Sequence, residues 1–166
     1  MTYGKAAICV DGEKLENVTN FVYLGAQIEA NAKTSPEINR RLAIASSKLS
    51  KMNCLWKNEN IRTKMKILKT CIFPVAIYGC EAWTITKNDE KKIDAFEMKC
   101  YRKILRIPWT AKETNESIRA ELNIKELHLM KTIRRLKLKY FGHIKRHDDT
   151  LEKLMMEGMM EGKRGR

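Results

Sequence analysis

A chain of 166 residues, 43% of them hydrophobic, is long enough for one domain or two small ones and apolar enough to pack a core. Its formal net charge of +13 and pI near 9.6 imply strong self-repulsion unless a polyanion neutralises it, which makes nucleic acid the leading partner class. An anionic membrane surface fits less well, because the cations are dispersed among acids over several segments and no apolar run approaches the roughly 20 residues that span a bilayer.

The first elements have strand character. Ala7 to Val10, the turn pair Asp11-Gly12 and Lys14 to Glu16 predict a short hairpin. A further strand is predicted from Asn20 to Ile28, carrying Phe21, Tyr23, Leu24 and Ile28, with Gly25 marking a bulge or the close approach of another group. Strands this few and short bury little surface alone, so the N-terminal piece reads as the edge of something larger.

Thr34-Ser35-Pro36-Glu37 is a helix start, with hydroxyl caps, an early proline and a glutamate spaced for a capping box. Ile38, Leu42, Ala45, Leu49, Met52 and Trp56 then recur at steps of four and three, predicting a helix of about five turns with one apolar seam flanked by Arg41 and Lys48. Asn58 to Asn60 is a polar break. Beyond it Ile61, Met65, Leu68, Ile72 and Val75 form a second apolar stripe, with Arg62, Lys66 and Lys69 as a basic stripe beside it. Pro74 should bend or break this helix and Gly79 should close it; a short loop lets the two seams pack antiparallel.

Thr86 and Asp89 start a third helix, with Ile93, Phe96, Cys100, Ile104 and Ile107 inward, an end at Pro108, and Lys92, Lys99, Lys103 and Arg106 on a neighbouring face. Thr114 caps a short helix bearing Ile118 and Leu122. The next helix is predicted from Glu126 to about Phe141, with Leu129, Ile133, Leu136 and Tyr140 inward, Gly142 at its end, and Lys131, Arg134, Arg135, Lys137 and Lys139 over much of its remaining surface. From Asp148 a frayed helix and a flexible basic tail are expected.

No catalytic constellation emerges. Asp148-Asp149 lacks flanking strands to hold two metal-binding carboxylates and reads as a loop or helix start. His143 and His147 stand four apart, but no third ligand is spaced to help and Arg146 repels a cation. There is no Gly-x-Ser-x-Gly and no phosphate-binding glycine loop. Trp56, Trp83 and Trp109 are assigned to the core rather than to base stacking. The five cysteines are odd in number and without a Cys-x-x-Cys, so they indicate neither a disulfide framework nor a zinc ribbon; reduced thiols and the absence of an apolar leader over Met1 to Cys9 lead us to expect an intracellular protein, in nucleus or cytoplasm.

Phe21-Val22-Tyr23-Leu24-Gly25, Phe73-Pro74-Val75-Ala76-Ile77-Tyr78-Gly79-Cys80-Glu81-Ala82-Trp83, Phe96 to Leu105, Thr114-Asn115-Glu116 and Arg134-Arg135-Leu136 through Gly142-His143-Ile144, in that order, resemble the C-terminal part of a non-LTR (LINE-type) retrotransposon reverse transcriptase. The resemblance covers nearly the whole chain from about residue 6. It implies a mainly-α fold: palm-end strands over residues 1–30, a helical thumb over 34–109, a basic helical extension over 110–150 and a flexible tail over 151–166. Tyr23, Leu24 and Gly25 would stand at the primer grip, which holds the primer strand. The family's catalytic aspartates and its Mg ions belong to a region before this chain begins, so the expectation is a fragment that needs no cofactor and contributes duplex binding but no chemistry. Its partners would be an RNA/DNA template-primer duplex and the parent enzyme's palm and fingers. The expected duplex contacts are Arg41, Lys48, Arg62, Lys66, Lys69, Lys92, Lys99, Lys103, Arg106, Lys131, Arg134 and Arg135. Two other readings stand beside this: a helical module that binds an acidic protein partner, and an independent DNA reader with a recognition helix at 127–141.

Overall fold

Two small antiparallel hairpins precede the helices in the computed structural model, which describes residues 9–10, 13–147 and 150–157. Strand β1 (Cys9–Val10) pairs with β2 (Glu13–Lys14); the Asp11-Gly12 turn lies outside the described residues. Strand β3 (Asn20–Tyr23) pairs with β4 (Ala26–Glu29), so the single strand expected from Asn20 to Ile28 is instead a hairpin. Its two loop residues, Leu24 at φ 48° and Gly25 at φ 78°, both lie in the left-handed region. Type I′ turns require this, because their twist matches that of the flanking strands. Asn-Gly would have announced such a turn; Leu-Gly did not.

Helix α1 (Ser35–Lys51) starts where expected, but not by the expected capping box. Thr34 has helical backbone angles and donates its hydroxyl to the carbonyl of Thr84 at 2.9 Å, while Ser35 donates to the Asp89 carboxylate at 2.8 Å. The Glu37 carboxylate accepts from Arg40 and Arg41 instead of reaching back to the cap. These side chains tie the start of α1 to the segment that begins the third long helix. The predicted seam is inward: Ile38, Ala45, Leu49 and Trp56 are buried, with Leu42 and Met52 partly so. The helix does not run unbroken to Trp56; it stops at Met52, and α2 (Asn53–Asn58) carries the tryptophan, whose indole N–H donates to the Leu49 carbonyl at 2.7 Å.

Residues 61–76 accommodate Pro74 without a break. Helix α3 (Ile61–Ile67), opened by the Asn60 side chain accepting from the Thr63 amide, passes into a π-helical turn, Leu68–Ile72, and then into α4 (Phe73–Ala76). The Phe73 amide donates to the Leu68 carbonyl, five residues back, so the ladder widens by one residue just before the proline that cannot donate. That extra residue rotates the stripe. Leu68, Ile72, Phe73 and Ala76 are buried, whereas Val75 is only partly so and Ile61 is exposed. Gly79, at φ 71°, closes the segment as predicted, and a 3-10 turn, Cys80–Ala82, follows. The guanidinium of Arg41, early in α1, lies 4.3 Å from the Tyr78 ring centre at the far end of this segment, as the antiparallel pairing requires.

Helix α5 (Lys87–Leu105) has the full Thr86/Asp89 capping box, and α6 (Asn115–Glu121) is capped by Thr114. Helix α7 (His128–Arg146) runs through Gly142, which does not end it; Leu129 and Ile133 are buried, but Tyr140 is 44% exposed. No side chain of its own caps α7. Glu97 of α5 does so from across the core, accepting from the amides of His128 at 2.6 Å and Leu129 at 2.7 Å, and also from the Tyr101 hydroxyl. Glu97 is fully buried, so this carboxylate satisfies helix-end donors that water cannot reach. One core takes in Ile38 and Leu49 of α1, Leu68 and Ile72, Ile93 and Ile104 of α5, Ile118 of α6, and Leu129 and Ile133 of α7, with Trp83. The side chain of Trp109 and the pair Asp148-Asp149 lie outside the described residues, as does the basic tail beyond α8 (Leu151–Glu157). No helix among the described residues is long and apolar enough to cross a membrane.

Candidate nucleic-acid interface

Lys69, on the π turn that continues α3, and the cations of α7 meet at His128. Lys69 lines a groove of about 600 Å³ with Arg62, Lys66 and Met65, closed on the other side by Glu121, Leu122 and Asn123. It also lines a larger cleft of about 1040 Å³ between the β3–β4 hairpin, α4, the 3-10 turn and α7, which it shares with Arg135 and His128. Arg62, Lys66, Lys69 and Arg135 are all exposed. Lys69 and Arg135 are felt by the imidazole: burial holds His128 below its ordinary pKa, Glu97 opposes this, and Lys69, Arg135 and Lys131 lower it further. The ring stacks on Phe73, centroids 5.6 Å apart, with Thr132 Oγ1 at 3.3 Å from Nε2. A neutral imidazole between three cations is a setting that an anion would complete.

The segments 20–29 and 73–83 also meet. The tip of the β3–β4 hairpin docks on α1 and on Tyr78: the Gly25 carbonyl accepts from Arg40 at 2.5 Å and from Arg41, and the Leu24 carbonyl accepts from the Tyr78 hydroxyl at 3.1 Å. Glu37 orients both arginines. Burial raises the pKa of its carboxyl, but hydrogen bonds from Arg40, Arg41 and the Gln27 amide outweigh this and hold it below the ordinary value. This clamp leaves the hairpin's side chains outside. Phe21, Val22, Tyr23 and Leu24 are 57%, 58%, 57% and 76% exposed, an uncovered apolar surface, with Phe21 and Tyr23 stacked at 6.4 Å.

The expected contacts therefore divide. Arg41 is buried, donates to the Gly25 carbonyl and to Glu37, and lies over the Tyr78 ring. Lys92 pairs with Asp89 at 3.7 Å, Lys131 with Glu126 at 2.8 Å, and Arg134 with Glu90 at 3.2 Å; the last two are exposed pairs of little strength. Lys99 reaches Ser46 at 3.5 Å, and Lys48 is exposed on α1. Lys103 and Arg106 line a separate cleft with Lys57 and Arg102, two cations the periodicity did not single out. His128 was also missed, because a lone histidine at a helix start carries no sequence signal until its neighbours are known. Among the described residues no group of three or more His, Cys, Asp or Glu could hold a metal; His143 and His147 lie 4.5 Å apart, edge to face.

No protein-family model and no solved structure matches the chain. It is 24% identical over 139 residues to a transposon-derived protein of Caenorhabditis elegans of uncharacterised activity. The match covers 82% of this chain and 50% of that protein, so the chain spans about half the length of this relative.

Proposed function

We propose that this chain binds nucleic-acid duplexes through their phosphate backbones, as a thumb-like part of a non-LTR retrotransposon reverse transcriptase, and carries out no chemistry itself. The observation that carries the reading is that exposed Lys69 lines both the groove that holds Arg62 and Lys66 and the cleft that holds Arg135 and His128, the latter cleft shared with Glu29, Glu37 and Glu81. A transposon-derived relative supports a transposon origin, and the order of motifs favours a reverse transcriptase over other element-encoded proteins. Basic helix faces without a base-reading device suit a duplex held by shape and backbone, as RNA-containing helices are. Neutralising six to eight phosphates gives a log–log salt slope of about −5 to −7 for binding to a short RNA/DNA duplex followed by fluorescence anisotropy. Binding that ignores salt contradicts the proposal. Failure of duplex to displace an acidic polypeptide would favour a protein partner, and recovery of one preferred sequence from randomised duplexes would favour a DNA reader on α7.

A further inference from the structure

A second basic cleft lies away from His128, between α2 and the end of α5. It measures about 270 Å³ and is lined by Lys57, Arg102, Lys103 and Arg106, with Asn53, Trp56, Ile107 and Pro108 as the neutral walls. No acid lines it. The nearby Glu113 carboxylate accepts from Ser117 at 2.9 Å, and among the described residues Arg102 bonds to neutral acceptors, the Glu113 carbonyl and Asn115 Oδ1, both at 2.9 Å. Arg102 is thus held in place by two neutral acceptors and forms no ion pair among the described residues.

Cations at helix ends have an ordinary explanation, and both α2 and α5 end here. Each C-terminus supplies a partial charge of about −0.5, together about one negative charge against four positive ones. The helix ends thus offset only part of the charge of the four cations. The backbone adds a second observation. Helix α5 ends in a Schellman arrangement, with Arg106 N–H donating to the Lys103 carbonyl at 3.3 Å and Ile107 N–H to that of Arg102 at 3.0 Å. Its left-handed residue, at φ 60°, is Arg106, where glycine is favoured. The strained position carries a side chain that lines the cleft.

We propose that this cleft binds a phosphate dianion, specifically the terminal phosphate of a nucleic-acid strand. Four converging charges match the doubly charged end of a strand better than a singly charged internal diester. The inference rests on the nucleic-acid reading above, and the experiment separates the two. Duplexes with and without a 5′-terminal phosphate are compared by anisotropy on the full chain, and unfolding temperatures are measured with and without inorganic phosphate at constant ionic strength. The expected result is about tenfold tighter binding of the phosphorylated duplex, a ratio that falls to about one in Lys57→Gln. Arg106→Gly should raise the unfolding temperature in phosphate-free buffer and lower that ratio. Equal binding of the two duplexes by the unaltered chain overturns the inference and leaves duplex binding standing; binding of neither overturns the nucleic-acid reading itself. A ratio that survives in both variants puts terminal-phosphate recognition elsewhere and also overturns it. Inorganic phosphate that binds as tightly as the phosphorylated duplex makes the ligand a free anion and overturns the assignment to a strand end.

Discussion

Replacing Glu97 with alanine removes, in one step, the acceptor for two buried amides of α7 and for the buried Tyr101 hydroxyl. Each orphaned group costs its desolvation, so Glu97→Ala should lose about 3–5 kcal/mol of stability in urea denaturation, far more than truncation of an exposed acid. His128 offers a test that separates binding from folding. Its pKa lies below the ordinary 6.5 through burial first, with Glu97 opposing and Lys69, Arg135 and Lys131 adding to the depression. The folded form therefore favours the neutral ring, and in the free protein stability is complete above the ordinary imidazole value and lost as pH falls below it. Phosphates seated on Lys69 and Arg135 reverse that balance and draw a proton onto the ring. Duplex binding should tighten between about pH 7.5 and about pH 6, and His128→Gln should flatten this part of the profile. An unchanged profile in the variant removes His128 from the interface.

Elements whose signals are local were legible in the sequence. The Thr86/Asp89 box, the Thr114 cap, the seam from Ile38 to Trp56 and the closure at Gly79 all depend on neighbours within a turn or two. What was not legible depends on distant partners. The start of α7 is capped by Glu97 from another helix, Glu37 left its capping box for Arg40 and Arg41, and the π turn before Pro74 moved the buried face by one residue. The basic stripe was readable at Arg62, Lys66 and Lys69; its junction with Arg135 was not, because only the packing of α7 brings them to one cleft. The β3–β4 hairpin illustrates both sides. Leu24 occupies a left-handed position in a two-residue turn and is 76% exposed, so Leu24→Asn should stabilise the protein by about 0.5–1 kcal/mol in thermal or urea melts. A loss of duplex affinity in that stabilised variant would identify the leucine side chain as a contact. Docking of the hairpin depends on Glu37, whose depressed pKa means that the clamp is complete above the ordinary carboxyl value of 4.5 and is lost as pH falls through the lower folded value. Amide exchange in β3 and β4 should accelerate over that acid range before α5 and α7 lose protection; simultaneous loss would show that the hairpin and the body open together.

At the scale of the molecule, two groups of cations line concave surfaces among the described residues away from strong ion pairs: Arg62, Lys66, Lys69 and Arg135, and Lys57, Arg102, Lys103 and Arg106 at the end of α5. Side chains that pair with acids, such as Lys92 and Arg134, add to neither. The exposed Phe21, Val22, Tyr23 and Leu24 give the hairpin an uncovered apolar surface. Duplex binding as proposed rests on the grip of Lys69 and Arg135 on phosphates. Its most direct test is the salt dependence of RNA/DNA duplex binding in the unaltered chain and in Lys69→Gln/Arg135→Gln. A log–log slope of about −5 to −7 is expected for the first and one shallower by about 2 for the second, with helix content preserved. Equal slopes, or binding of the unaltered chain that does not respond to salt, would contradict it.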